Sequence, residues 1–232
     1  MPDVIFNGPD GRLEGRYQPG KDDEAPLALI LHPEPLAADG TMNNRVTYTL
    51  YQVFGALGFA VLRFNFRGVG RSQGKYDDGA GELSDAAAAL DWLQTMNRNA
   101  KTCWVAGYSF GAWIGMQLLM RRPEITGFVS VAPPANSKDF SFLAPCPASG
   151  LILHGGEDSQ IPEASVAALA DRLSKQRGVH VRYAMFPRAG HAFDNYLKDV
   201  GFAVRDYVVD AMAKKHKKSA KNKPKKLPPQ TA

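Results

Sequence analysis

Gly107-Tyr108-Ser109-Phe110-Gly111 stands between two runs of opposite character. Upstream, Thr102-Cys103-Trp104-Val105-Ala106 is short, apolar and partly β-branched, the pattern of a buried strand. Downstream, residues 112–120 read as a helix. A G-x-S-x-G on a strand-to-helix turn leaves room only for glycine beside the serine and pushes the hydroxyl above the sheet edge. The N–H of the next residue, Phe110, then points out of a helix N-terminus, where developing negative charge is favoured. Ser109 is therefore the candidate nucleophile. A second copy of the motif, Gly70-Arg71-Ser72-Gln73-Gly74, follows a polar turn and leads into a loop without helical periodicity, so it is read as a chance match.

Outward from the turn, strand-like and helix-like patterns alternate. Residues 4–6 and 12–17 form an opening antiparallel pair joined by Gly8-Pro9-Asp10-Gly11. Strands are expected at 27–32, 59–64, 127–132, 149–154 and 180–186, and helices at 46–57, 83–96, 163–175 and 196–214. This order predicts an α/β fold with a mostly parallel, doubly wound sheet and helices on both faces. Ligands of such sheets bind beyond the carboxyl ends of the strands, so residues just past those ends matter most.

Two further residues meet that condition. The strand Leu151-Ile152-Leu153-His154 is followed by Gly155-Gly156-Glu157-Asp158, and the next strand is followed by Pro187-Arg188-Ala189-Gly190-His191. Ser109, Asp158 and His191 thus make a candidate catalytic triad. A serine hydroxyl is a poor nucleophile at neutral pH, so His191 would take its proton and later return it to the leaving group. Asp158 would fix the imidazole tautomer and stabilise the imidazolium. Glu157 is the neighbouring alternative for the acid and Asp194 a weaker one, too near His191 in sequence. His32 and His154 end strands and read as structural, bonded to nearby loops. His180 and His216 read as surface residues.

Acyl transfer through a tetrahedral intermediate needs two N–H donors. Phe110 supplies one. The other is expected from His32-Pro33-Glu34-Pro35-Leu36, where the prolines have no N–H and Glu34 is the nearby donor. The Glu34 side chain is expected to turn to solvent or to Arg67; the alternative is a carboxylate near the place where negative charge develops, where it would raise the pKa of His191 or repel an anionic substrate.

The 232 residues, 44% of them hydrophobic, suffice for one core. Cys103 and Cys146 are too few for a disulfide framework or a metal cluster. The N-terminal segment lacks a basic-then-apolar pattern, and no apolar run reaches 18 residues, so a cytoplasmic location is expected. The formal charge of +5 is unevenly placed. Eight lysines and no acid lie in 213–232, and without them residues 1–212 carry −3. The chain is accordingly divided into a folded domain, 1–212, and a lysine-rich tail, 213–232, expected to be disordered. The tail reads as a solubilising extension, or as an arm making weak electrostatic contact with nucleic acid or an anionic membrane. No aromatic residue is interleaved with the lysines to stack on bases.

With Asn65-Phe66-Arg67-Gly68-Val69-Gly70-Arg71-Ser72, the elbow and the Ser…Asp…His order resemble the α/β-hydrolase superfamily across residues 1–212. More narrowly, the chain is similar to small bacterial hydrolases of dienelactone-hydrolase or esterase type. In that group the oxyanion loop commonly reads His-Pro-His-Pro followed by Gly-Thr-Met. Here Gly40-Thr41-Met42 is kept and Glu34 replaces the second histidine. The span from Pro133 to Pro147 is too short for a cap domain, which implies an open site whose apolar lining would come from Met42, Tyr108, Phe140, Phe142 and Phe193. The reading is a serine hydrolase of small-molecule carboxylic esters or thioesters, needing no cofactor and no metal. The open sheet edge could pair with a second copy. The rival reading keeps the fold as a non-catalytic binding or scaffold protein using the lysine tail.

Overall fold

The computed structural model describes residues 3–221, with side chains through Lys214. Its eight strands are β1 (Asp3–Gly8), β2 (Gly11–Gln18), β3 (Leu27–Leu31), β4 (Ala60–Phe64), β5 (Cys103–Tyr108), β6 (Ile125–Val131), β7 (Gly150–Gly155) and β8 (Val181–Phe186). They form one sheet in the order β1-β2-β4-β3-β5-β6-β7-β8. The opening strands pair antiparallel, β1 with β2 and β2 with β4, and every later pairing is parallel. All residues of β3, β4, β5 and β7 are buried, as strands covered on both faces must be, and so they read as largely apolar runs, broken only by Arg63 in β4 and His154 in β7, rather than as alternating ones.

The helices are α1 (Arg45–Ala56), α2 (Ala80–Met96), α3 (Phe110–Arg121), α4 (Glu163–Ser174) and α5 (Leu197–Lys221). From β3 the chain steps through α1 to β4 on one side, then back through α2 to β5 on the other side of β3. Right-handed crossovers therefore put α1 and α2 on opposite faces. α5 packs beside α1, and α3 beside α2. The direction of winding reverses at β3, and the carboxyl ends of β3 and β5 there lead into Glu34 and Ser109, the place where ligands of such sheets bind.

Local chemistry sets the helix starts. Asn44 caps α1, its Oδ1 accepting the N–H groups of Val46 at 2.9 Å and Thr47 at 3.3 Å. Glu82 reaches back to the N–H groups of Gly79 (2.7 Å) and Asp77 (3.0 Å), so α2 begins at Ala80, three residues before the sequence pattern suggests. Asp85, which the pattern puts near that start, instead lies inside the helix, buried against Arg67. Between them run Nε–Oδ2 and Nη2–Oδ1 bonds of 2.9 and 2.8 Å.

Helix α5 runs to Lys221, beyond residue 213, where a disordered tail is expected from composition. Lysine and alanine are good helix formers, and lysines complement the negative C-terminal end of a helix. Residues 222–232, the rest of that expected tail, lie outside the described residues. Among the described residues no helix is long and apolar enough to cross a membrane.

Candidate active site

Ser109 links β5 to α3 with φ 52° and ψ −118°, a conformation a non-glycine residue adopts only when its surroundings impose it. They do so here. The Ser109 N–H donates to the Val131 carbonyl of β6 at 2.8 Å, and its carbonyl accepts from Ala112 at 2.9 Å. A side chain at Gly107 would press into the backbone of Gly111, and one at Gly111 into the carbonyls of Leu31 and His32. The two motif glycines are thus where α3 touches β5 and β3 backbone to backbone. Ser109 itself is partly exposed. Phe110 opens α3, so its N–H has no carbonyl within the helix to bond.

The second motif behaves differently. Ser72 is buried, accepts from the Glu14 N–H at 3.0 Å and donates to the Asn65 carbonyl at 2.7 Å. It staples β2 to the loop after β4 and has no free hydroxyl.

Asp158 and His191 come together because β7 and β8 are parallel neighbours whose ends are stitched. Gly155 pairs with Phe186, and beyond the strands Gly156 N–H bonds Phe186 O at 2.8 Å and Glu157 N–H bonds Ala189 O at 2.9 Å. That leaves Asp158 Oδ2 2.7 Å from His191 Nδ1, the carboxyl fully buried and the imidazole 14% exposed. Asp158 Oδ1 accepts two backbone N–H groups, Gln160 at 2.8 Å and Ile161 at 3.0 Å. Burial alone would raise its carboxyl. The bonds from His191, Ile161 and Gln160 outweigh burial and hold it below the ordinary aspartate value. Glu157 is exposed, and Asp194 pairs with Arg45 at 2.7 Å, so neither competes as partner of His191.

Tyr108 supports the other side of the imidazole. Its hydroxyl donates to the His191 carbonyl at 3.0 Å, and the two rings lie 5.2 Å apart. His191 is thereby held against the residue preceding Ser109. Among the described residues the Ser109 hydroxyl makes no hydrogen bond, to His191 or elsewhere. Catalytic hydrogen bonds in unliganded sites are often long and tighten only with substrate bound.

Glu34 departs from expectation. Arg67 is committed to Asp85, and the Glu34 side chain turns neither to it nor to solvent. It is half-buried, with Oε1 inaccessible and unpartnered, and the nearby Tyr76 hydroxyl donates instead to Asp78 Oδ1 at 3.2 Å. Burial raises its carboxyl above the ordinary value, against the lowering pull of Tyr76, the Leu36 backbone and Lys138. The Tyr76 ring lies 6.2 Å from that of Phe110.

The expected apolar lining is mostly core. Met42, Tyr108, Phe140 and Phe193 are buried, and Phe142 alone of the five is partly exposed, stacked on Phe140 at 6.1 Å. Loop aromatics next to a sheet pack inward first, because burying a large ring is worth about 1.5–3 kcal/mol. No helix or strand lies between Val131 and Gly150, in keeping with an uncapped rim. Two hollows are not lined by Ser109, Asp158 or His191: a polar cleft of about 630 Å³ lined by Asp10, Arg67, Lys75 and Tyr76, and an apolar groove of about 440 Å³ between α1 and α5. Among the described residues no group of three or more His, Cys, Asp or Glu is placed to hold a metal ion.

His32 and His154 are structural, as their strand-end positions suggest. His32 Nδ1 bonds Pro33 O at 2.7 Å and Nε2 accepts the Phe66 N–H at 3.0 Å, while complete burial lowers its pKa to about 3. Tyr108 as a support of His191 is not visible in sequence. The double amide cap on Asp158 has a local signal in Asp158-Ser159-Gln160-Ile161, since aspartate commonly accepts the N–H two residues on.

Known proteins share this fold. A profile of the Dienelactone hydrolase family matches residues 73–223. An uncharacterized protein of Rickettsia prowazekii is 49% identical over 93% of this chain and 92% of its own. Among solved structures, a protein of unknown function from Agrobacterium tumefaciens, described as an alpha/beta hydrolase, is 56% identical with TM-score 0.89, covering 91% of this chain and 97% of that one. An a/b serine hydrolase without lid from Xanthomonas campestris is 29% identical with TM-score 0.81, covering 90% and 94%. With its eight-stranded, mostly parallel sheet and no cap over the rim, the chain belongs to the dienelactone hydrolase family of α/β-hydrolases.

Proposed function

We propose that the protein is a serine-dependent hydrolase of small carboxylic esters or thioesters. The observation that carries this is the buried Asp158–His191 pair, 2.7 Å apart, held by Tyr108 beside the strained Ser109 turn. Ser109 Oγ attacks the acyl carbon and its proton passes to His191 Nε2. Asp158 keeps the proton of Nδ1 directed at itself and stabilises the imidazolium. The N–H groups of Phe110 and Glu34 hold the oxyanion, each such donor being worth about 10²–10³ in rate. The tetrahedral intermediate collapses, the alcohol or thiol leaves with the proton from His191, and water attacks the acyl-Ser109 by the same route in reverse. These residues need no cofactor for any step. The uncapped rim suits an acyl group that approaches from open solvent. The Xanthomonas neighbour, described as a serine hydrolase without lid, supports the same reading.

The test is Ser109→Ala, expected to lower kcat on nitrophenyl esters by about 10⁶ if the enzyme is efficient. A fluorophosphonate should label Ser109 in native protein and not after heat denaturation. Ester turnover undiminished in the variant, or labelling at another serine, refutes the assignment.

A further inference from the structure

His154, the last side chain inside β7 before Gly155, takes no part in the proposed acid–base steps, yet its surroundings are not those of a packing residue. The ring is completely buried. Nε2 lies 3.0 Å from the Ile161 carbonyl, and Nδ1 is buried with no partner among the described residues. A carbonyl only accepts, so Nε2 carries the proton and the neutral ring leaves the Nδ1 lone pair unsatisfied. A leucine or phenylalanine would fill that space without the cost of an orphaned nitrogen. Something must repay the histidine, and the bond to Ile161 is what it alone provides.

That bond sits one peptide from the acid. The Ile161 carbonyl is held by His154 and the Ile161 N–H is given to Asp158 Oδ1, whose other oxygen faces His191. The turn has no helix or strand to stiffen it, since β7 ends at Gly155 and α4 begins at Glu163. The charged groups facing His154 are Asp158, Glu163 and, when protonated, His191. We propose that His154 is a positioning residue, which locks the 158–161 turn through Ile161 so that Asp158 keeps its carboxylate aimed at His191. The effect on rate rests on the hydrolase reading above, whereas the effect on the Asp158–His191 contact does not.

Three variants at this position separate positioning from packing. His154→Gln carries a donor at about the reach of the imidazole Nε2, His154→Asn stops one bond short, and His154→Phe keeps a ring and removes the donor. Two signals are read in each, alongside a thermal melt: kcat and KM on a nitrophenyl ester, and the downfield proton resonance of the His191 Nδ1–H, which reports its bond to Asp158 without any turnover. H154N and H154F should lower kcat about ten- to hundredfold at unchanged KM, the scale of a misplaced catalytic group, and broaden or abolish the resonance. H154Q should keep both near wild type. If H154N fails to fold, the apolar H154F carries the comparison. Wild-type kcat and resonance in H154F overturn the proposal, and so does an equal loss in H154Q, which would make ring packing the cause. A wild-type protein without ester turnover would count against the hydrolase reading, and the resonance alone would then decide the positioning role.

Discussion

The two oxygens of Asp158 do different work, and Asp158→Asn exploits the division. Oδ1 accepts from Gln160 and Ile161, at 2.8 and 3.0 Å, and Oδ2 faces His191 Nδ1 at 2.7 Å. An asparagine must choose which end its NH2 takes. Turned toward the backbone, it would set two donors against two donors and forfeit two buried hydrogen bonds, a loss of at least about 2 kcal/mol. The carbonyl oxygen therefore keeps the Oδ1 place and the NH2 is driven toward His191. Nδ1 must then accept, which moves the imidazole proton to Nε2, the nitrogen that has to receive the proton of Ser109. The base is present but in the wrong tautomer, and its imidazolium has lost its counter-charge. A fall in kcat of about 10⁴ follows, roughly 5.4 kcal/mol of transition-state stabilisation, the size seen when this substitution is made in a serine triad. KM should stay within about threefold, because Asp158 is buried and does not touch the acyl group. The assay is steady-state hydrolysis of nitrophenyl acetate by both proteins, with a thermal melt to confirm folding. A folded D158N protein within tenfold of wild-type kcat would refute this account of the tautomer.

Ser72→Ala should leave kcat unchanged while costing about 1–3 kcal/mol of stability in urea, because it strips two buried partners and no reacting atom. Gly111→Ala places a methyl against the carbonyls of Leu31 and His32 and should cost about 3 kcal/mol or more, read as a lowered melting temperature or as loss of soluble protein. Glu34 has a raised folded pKa, so the folded state binds its proton more tightly and stability is lost as pH rises from the unfolded value through the folded one. Glu34→Gln removes that titration, and its melting temperature relative to wild type should rise between pH 4 and pH 8. An equal or falling difference would reject the raised carboxyl.

Much of this arrangement was legible from the chain, and the reason is the sheet. In parallel α/β architecture a residue just past a strand's carboxyl end has few places to go, so Ser109, Asp158 and His191 could be marked from periodicity and the glycines beside them. The Gly70–Gly74 match could be set aside for the same reason, and Ser72 is indeed a staple between β2 and the loop after β4. What periodicity does not carry is which side chain reaches which loop. Arg67 looked available to Glu34 because both follow neighbouring strands, but Asp85 offers it a bidentate, buried partner one helix turn into α2, and no half-buried glutamate competes with that. Met42, Phe140 and Phe193 were placed on an open lining by loop position alone, yet each belongs to the core. The start of α2 was missed because its cap is a glutamate reaching backward, Glu82 to Gly79, with no Ser, Thr, Asp or Asn in the N-cap position.

Glu34 is where the oxyanion loop and the fold make conflicting demands. In the proposed mechanism its backbone N–H is the donor that the prolines on either side cannot supply, and its half-buried carboxyl lies near Tyr76, whose ring is 6.2 Å from that of Phe110, the other proposed donor's residue. A charge there would oppose the oxyanion that the two N–H groups are placed to hold. Burial eases the conflict by shifting the titration of the carboxyl upward, toward the neutral form. The cost is a dependence on pH that a glutamine in the same place would not have. As Glu34 ionises, the loop gains a half-buried negative charge, so burial of the carboxyl and the proposed donor role of the loop both favour the protonated form.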